Sequence, residues 1–129
     1  MKASSPCGKR GTYSASFDGL TFMCDVAFEH KTLGNGLRAA MAPGCTGAHL
    51  PLHYLAQMEQ QAMVSGCERI LFMASQWGAD GLIEERHCWY EPDAELRARL
   101  IAGWEQFEKD VAAYVPSEAA PPVQAAPVE

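Results

Sequence analysis

The sequence has none of the features of a membrane-spanning, exported or zinc-ribbon protein. Its apolar stretches fall short of the roughly 20 residues that a membrane helix needs, and residues 1–10 lack the apolar core of a signal peptide. The five cysteines are scattered and form no C-x-x-C pair, which excludes a zinc ribbon and a thioredoxin-like motif. We therefore expect a cytoplasmic protein whose thiols are reduced.

Basic residues are scarce as well. Ten lysines and arginines stand against sixteen aspartates and glutamates, which gives a formal net charge of −6. This balance argues against a protein that coats nucleic acid nonspecifically, but it does not exclude an enzyme with a local basic site. The sequence also has no phosphate-binding P-loop, no dinucleotide fingerprint and no Ser/His/Asp arrangement.

The chain of 129 residues is long enough for one domain with its own core. We expect this domain over residues 12–115, after an N-terminal extension at residues 1–11. Residues 116–129 contain four prolines, several alanines and no aromatic residue. Such a composition cannot form a core, so it predicts a disordered tail.

Periodicity and turn residues predict the order of the elements. Helices are expected at residues 51–65 and 92–115, the second with an apolar stripe at three- and four-residue steps. The β-like segments are residues 12–31, long enough for two strands, and residues 67–76 and 82–90, while residues 32–50 are rich in glycine and predict a loop. The order β-β-α-β-β-α predicts an α/β or α+β domain with a central sheet flanked by helices.

Charged residues are concentrated in the second predicted strand. Strand alternation places Glu29 and Lys31 on one face, about 7 Å apart along the strand, and Val26, Phe28 and His30 on the other. Because Val26 and Phe28 are apolar, we expect their face to contact the core. A carboxylate and an amine would then share the opposite face.

The position of Asp18 depends on where the hairpin turns. If the turn lies near residues 23–25, Asp18 is directly opposite Glu29, with Cβ atoms ~5 Å apart. Two carboxylates at that distance repel unless a cation lies between them, and Mg²⁺ or Mn²⁺ suits carboxylate oxygens best. Asp18–Gly19 is itself a strong turn signal, however, and a turn there would leave the two carboxylates far apart with no metal site.

The same residues resemble the D-x10-E-x-K signature of the PD-(D/E)xK nucleases. Three motifs are similar, in order, to those of the lambda exonuclease and YqaJ viral recombinase group. They are A-S-F-D-G-L at residues 15–20, F-E-H-K at residues 28–31 and Y-L-A-Q-M-E-Q-Q-A-M-V-S-G at residues 54–66. The resemblance covers roughly residues 12–115 and favours the turn near residues 23–25.

The resemblance implies a restriction-endonuclease-like core with a central mixed sheet, and it implies a role for each matching residue. Asp18, Glu29 and the backbone carbonyl of His30 would bind Mg²⁺ or Mn²⁺. Lys31 would orient or deprotonate the attacking water. Gln57 matches the family's glutamine that faces the active site, where it would hydrogen-bond the water or the phosphate, and Gln61 is the weaker match on the same helix.

The implied activity is that of a Mg²⁺-dependent DNA exonuclease in phage recombination. Its substrate would be double-stranded DNA ends, its partner a single-strand annealing protein, and its assembly a homo-oligomer away from any membrane. Family members usually carry a helical segment before the first motif, whereas this chain has seventeen residues before Asp18. The alternative is therefore a truncated, catalytically weak remnant of the nuclease fold that acts as a DNA- or protein-binding subunit.

Overall fold

The structure is a computed structural model that describes residues 8–117. The predicted tail lies outside the described residues from position 118 onward, and the predicted N-terminal extension lies outside them up to position 7. The strands are β1 (Lys9–Arg10), β2 (Tyr13–Ser14), β3 (Gly19–Leu20), β4 (Val26–Thr32), β5 (Arg69–Gly78) and β6 (Gly81–Tyr90). The α-helices are α1 (Asn35–Ala40), α2 (Leu52–Ser65) and α3 (Ala94–Ala113), and a single 3₁₀ turn spans Gly47–His49.

Strands β3 to β6 form one mixed sheet in the order β3-β4-β5-β6. The β3–β4 and β5–β6 pairs are antiparallel, and the β4–β5 pair is parallel. A parallel pair needs a crossover connection, which α1 and α2 supply between β4 and β5. Strands β1 and β2 form a separate ribbon. The chain is thus a mixed α/β protein, as the sequence predicts.

The core lies between the sheet and α2. Ile70, Phe72 and Ala74 alternate along β5 and are fully buried, because all three project from the same face of the strand. Met58 and Ala62 of α2 are fully buried against them. Side chains on the other face of the same strand, such as Leu71 and Met73, are only half-buried. The described helices therefore cover one face of the sheet.

Turn residues set the bounds of the predicted central elements. Pro51 is the N-cap of α2, and Gly66 ends it in a left-handed conformation with φ of 74°, which is strained for other residues. Gly81, with φ of 118°, allows the tight connection between β5 and β6. The helix predicted at residues 51–65 and the paired strands predicted at 67–76 and 82–90 are confirmed within two residues.

The expectation of a loop over residues 32–50 is wrong. This segment contains α1 and the 3₁₀ turn, and its Leu37, Met41 and Leu50 belong to the core. The four glycines hide the helical pattern because α1 has only six residues, and the burial of Leu37, more than local propensity, stabilises it. Relative to the expected order β-β-α-β-β-α, the structure adds α1 and the β1–β2 ribbon.

The expected orientation of β4 is also wrong. Ala27 and Glu29 are buried, whereas Val26 and Phe28 are half-buried and His30 is exposed. The neighbouring strand decides the orientation, because the most apolar face of β5 is the one that continues from Ala27 and Glu29 across the sheet. The carboxylate of Glu29 thus lies under α2 instead of on a solvated face.

Helix α3 forms as predicted, but its apolar stripe is not buried. Asp93 caps the helix by accepting hydrogen bonds from the backbone N–H groups of Glu95 and Leu96. Because α3 contacts α2 and not the sheet core, no residue of α3 is buried. Trp104, Phe107 and Val111 are 40%, 56% and 57% exposed.

Two further findings concern the class of protein. Among residues 8–117, no helix combines the length and apolar character needed to cross a bilayer. Cys45, Cys67 and Cys88 are free thiols, but Cys24 is disulfide-bonded. The expectation that all five cysteines are reduced is therefore wrong at Cys24.

Candidate functional site

The turn between β3 and β4 places Asp18 opposite Glu29. Gly19 pairs with Phe28 and Leu20 with Ala27, and the same register continued by one residue aligns Asp18 with Glu29. The turn is therefore the one centred near residues 23–25, and Asp18–Gly19 leads into the strand. Residues directly opposite in an antiparallel pair project from the same face of the sheet, so the Asp18 and Glu29 side chains share a face.

Hydrogen bonds to Thr21 close this turn. The backbone N–H of Thr21 donates to the carbonyl of Val26 over 2.9 Å, and the Thr21 hydroxyl accepts from the backbone N–H groups of Asp25 and Val26. The same hydroxyl donates to the Asp25 carboxylate. This hydrogen bond from Thr21 holds the pKa of Asp25 below its ordinary value. Asp25, which lies between Asp18 and Glu29 in the sequence, is thus a turn residue and not part of the site.

Asp18 is attached to β4 through the backbone of His30. The His30 N–H donates to Asp18 Oδ2 over 2.9 Å. Because the N–H and C=O of one strand residue point to the same side, the His30 carbonyl is directed to the edge at which Asp18 lies. The His30 imidazole is on the opposite sheet face, where its Nε2 lies 2.6 Å from Ser75 Oγ. Only the main chain of His30 therefore belongs to the site.

Glu29 is the buried centre of the site, with 4% of its surface exposed. Its Oε2 lies 3.1 Å from Lys31 Nζ, and its Oε1 accepts a hydrogen bond of 2.7 Å from Gln61 Nε2. Lys31 Nζ lies 5.6 Å from the centre of the Tyr54 ring, and 27% of the Lys31 side chain is exposed. Lys31 thus contacts the buried Glu29 carboxylate while part of its own side chain is exposed to solvent.

Gln61 belongs to the site although the resemblance favours Gln57. Gln61 Nε2 also donates to the carbonyl of Ser16 over 2.9 Å, so one amide links α2 to the segment before Asp18 and to Glu29. Gln61 Oε1 is buried and has no hydrogen-bond partner among the described residues. An unpaired buried acceptor costs about 1–3 kcal/mol, so a hydrogen-bond donor at this oxygen would stabilise the protein.

Gln57 lies one turn before Gln61 on α2 and is half-buried. Together with Tyr54 it follows the three- and four-residue steps of the helix face that contains Gln61. Its contact with water or phosphate stays a prediction.

A crossover helix runs antiparallel to the strands it connects, so later helix positions meet earlier strand positions. Applied to the sequence, this rule could have selected Gln61 as the glutamine nearest to Glu29.

The structure thus places Asp18, Glu29, Lys31 and the His30 backbone next to one another, and their metal-binding and catalytic roles stay predictions. Within residues 8–117 no group of three or more His, Cys, Asp or Glu side chains could hold a metal ion. The expected ligand set differs from such a group, because it has two carboxylates and one main-chain carbonyl. These donors are all oxygen atoms, the chemistry that Mg²⁺ and Mn²⁺ prefer.

A second buried carboxylate, Glu59, has a structural role. It is fully buried and accepts hydrogen bonds from Tyr90 Oη over 2.6 Å, from the Asp93 N–H over 2.7 Å and from Arg97 Nε over 2.7 Å. Burial, reinforced by the Glu59 carboxylate, raises the pKa of Tyr90 well above its ordinary value. Glu59 thereby joins α2 to the end of β6 and the start of α3.

Comparison of the chain with models of known protein families, with curated proteins and with solved structures finds no match. The case for the site therefore depends on the side chains and their geometry.

Proposed function

We propose that this protein is a metal-dependent DNA exonuclease of the phage recombination type, which hydrolyses phosphodiester bonds of double-stranded DNA. The observation that carries the proposal is the register of β3 and β4, which aligns the Asp18 carboxylate with a buried Glu29 that is paired with Lys31. A buried charged pair next to a second carboxylate is more typical of a reaction centre than of a packing core.

The oxygen donors of the site support a hard divalent cation as cofactor. Asp18, Glu29 and the His30 carbonyl would hold Mg²⁺ or Mn²⁺, and Gln61 would fix the Glu29 carboxylate through its 2.7 Å hydrogen bond. The bound ion would lower the pKa of a water molecule and polarise the scissile phosphate. The hydrogen bond from the His30 N–H keeps Asp18 in place before the ion binds.

Lys31 supplies the positive charge of the site. Its ammonium group is paired with Glu29 but partly exposed, so it can contact a phosphate that arrives from solvent. There it would neutralise the charge that develops on the phosphate and orient the attacking water. Gln57, on the same helix face as Gln61, would hydrogen-bond that water or the phosphate.

The resemblance also supplies the biological setting of the proposal. Duplex DNA ends would be the substrate, a single-strand annealing protein the partner, and the assembly a cytoplasmic homo-oligomer. The net charge of −6 is compatible with this role because only the surroundings of Lys31 need to attract phosphate.

A digestion assay on linear duplex DNA tests the proposal. Wild-type protein should release nucleotides with Mg²⁺ or Mn²⁺ and not with a chelator. Glu29→Gln removes a ligand charge at nearly constant volume, and we expect it to lower the rate by about 100-fold or more, since a metal ion contributes several kcal/mol to the transition state. Glu105→Gln, at an exposed position of α3, is the matched control and should retain wild-type activity.

Two results would contradict the proposal. One is the absence of digestion by folded wild-type protein with either metal. The other is equal activity of wild-type protein and Glu29→Gln, which would indicate a contaminating nuclease.

The alternative is a catalytically weak remnant that acts as a DNA- or protein-binding subunit. The exposed apolar side chains of α3, among them Trp104 and Phe107, favour it, since isolated soluble domains rarely present a contiguous apolar face. Fluorescence anisotropy with labelled duplex DNA separates the two functions. A remnant that binds DNA would do so without cleavage, and Glu29→Gln would leave its affinity unchanged.

A further inference from the structure

The 3₁₀ turn at Gly47–His49 lies directly against β6. A Cβ atom at position 47 would be 2.7 Å from Tyr90 Cα and 2.8 Å from the Trp89 carbonyl oxygen, so glycine is needed for this approach. The contact holds the preceding segment beside the strand. Cys45 lies two residues before Gly47, and Cys88 lies two residues before Tyr90.

Cys45 and Cys88 are neighbouring free thiols. Cys45 packs against the core cluster that contains Cys88, and both residues line the same cavity. Cys88 is 4% exposed, whereas Cys45 is half-buried. Burial, followed by the charge and the hydrogen bond of Cys45, raises the pKa of Cys88 to about 12. Cys88 thus keeps its proton at neutral pH.

A cavity gives small molecules access to this pair. It has a volume of about 890 Å³ and is lined by both sulfur-bearing residues together with Thr46, His87 and Glu91. Because the cavity is open to solvent and Cys45 is the more exposed thiol, Cys45 is the one that a small oxidant reaches first.

We propose that Cys45 and Cys88 form a redox-sensitive pair that a hydroperoxide converts into an intramolecular disulfide. The Cys45 thiol releases its proton and attacks one oxygen of hydrogen peroxide, the O–O bond breaks, and the departing hydroxide takes up that proton, so Cys45 sulfenic acid and water are formed. Cys88 sulfur then attacks the Cys45 sulfur, the S–O bond breaks, and a second water leaves with the Cys88 proton. In sum, two thiols are oxidised by two electrons and one hydrogen peroxide is reduced to two water molecules.

The disulfide would attach the segment between α1 and α2 to strand β6. This cross-link closes a loop of the chain that includes all of α2 and β5, so it restricts the unfolded state and raises the melting temperature. Cys88 is on β6 and Glu29 is on β4, the two strands that flank β5, so the cysteine pair and the candidate site are separated by a strand. The proposal does not depend on the nuclease function.

Peptide mapping after treatment with hydrogen peroxide tests the proposal. We expect the treated wild-type chain to lose two thiols relative to the untreated chain and to lose the mass of two hydrogen atoms. Trypsin alone leaves Cys45 and Cys67 on one peptide, because no lysine or arginine lies between them. A second digestion with a glutamate-specific protease cleaves after Glu59 and separates them. The cross-linked product should then contain Cys45 and Cys88.

Cys67 provides the matched control, because it is a buried free thiol outside this pair. Cys67→Ala should still lose two thiols, whereas Cys45→Ala and Cys88→Ala should not form the cross-link. The mapping of the wild-type protein decides the matter even if a variant fails to fold. A disulfide that involves Cys67, a disulfide between two chains, or oxidation of Cys45 to the sulfinic acid while Cys88 stays reduced would overturn the proposal.

Discussion

Replacing Gln61 by glutamate tests whether the site is built to receive a cation. In the wild-type protein Gln61 Nε2 donates to Glu29 Oε1 over 2.7 Å. The substitution exchanges this donor for a carboxylate oxygen with almost no change in volume. A favourable buried hydrogen bond thus becomes a repulsive contact between two negative charges. A divalent cation bound between them would make the interaction energy favourable again.

The size of the effect follows from the geometry. Two charges centred about 4 Å apart at an effective dielectric constant of about 20 repel each other by about 4 kcal/mol. Protonation of one carboxyl limits this cost. From an ordinary glutamate pKa of about 4.3, holding a proton at pH 7 costs about 3.7 kcal/mol. We therefore expect Gln61→Glu to lower the free energy of unfolding by about 4 kcal/mol at neutral pH.

The pH dependence has a definite sign. Because the folded variant retains a proton that the unfolded chain releases, its loss of stability relative to wild type shrinks as the pH falls. The change is about 1.4 kcal/mol per pH unit down to about pH 5. Urea unfolding followed by tryptophan fluorescence measures this difference for each protein at each pH, with and without Mg²⁺.

The matched control is Gln60→Glu. Gln60 is the adjacent residue on α2, and its side chain faces the β1–β2 ribbon and Trp104 at the surface. We expect Mg²⁺ to restore most of the stability lost by Gln61→Glu and to leave Gln60→Glu unchanged. If Mg²⁺ and Mn²⁺ rescue neither variant, or both to the same extent, the inference that the carboxylates receive a cation is refuted.

Three further changes test the framework around the site. Glu59→Gln should lower the free energy of unfolding by about 3 kcal/mol in urea titrations, because it removes the charge that pairs with Arg97; a loss of less than about 1 kcal/mol would contradict its role. Hydrogen bonds from two arginines hold the pKa of Glu84 below its ordinary value. The stability that the Glu84 carboxylate contributes is present above about pH 4.5 and is lost as the pH falls through the lowered pKa. Wild type and Glu84→Gln should therefore have the same free energy of unfolding in acid. A difference that persists there would contradict the assignment. Gly47→Ala should lower the melting temperature, because its Cβ would overlap the β6 backbone, while Gly34→Ala, which meets open space, should not.

The sequence predicts the elements that local chemistry defines. Helix α2 follows from Pro51 and Gly66, which bound an amphipathic segment, and the hairpin of β5 and β6 follows from Gly78 and Gly81. The register of β3 and β4 required more than local signals, because Asp18–Gly19 also favours a turn. The resemblance of residues 15–31 to a nuclease hairpin favoured the correct one.

The remaining features depend on tertiary contacts that no local pattern contains. The buried face of β4 is set by the apolar alternation of β5, so Val26 and Phe28 are less buried than Glu29. The apolar stripe of α3 predicts burial, yet Trp104 remains 40% exposed because α3 lies outside α2. Periodicity reports which residues share a face. It does not report what covers that face.

The two carboxylates buried within residues 8–117, those of Glu59 and Glu29, show how a structural charge differs from the proposed functional one. Glu59 accepts three hydrogen bonds from three different groups, and every one of them joins parts of the fold. These three bonds offset the desolvation of the charge and occupy both carboxylate oxygens with contacts inside the protein. Glu59 therefore needs no function beyond holding α2, β6 and α3 together.

Glu29 is held differently. One of its two partners, Lys31, is partly exposed, the other, Gln61, leaves its own oxygen unpaired, and Asp18 is aligned beside it across the strand pair. A buried apolar residue at position 29 would avoid the cost of desolvating a charge and its repulsion with a nearby second carboxylate. A divalent cation between the Asp18 and Glu29 carboxylates, as proposed, would offset the charge of both. The polar excess around Glu29 is thus unfavourable for folding alone, which is the physical argument behind the proposed metal-dependent reaction.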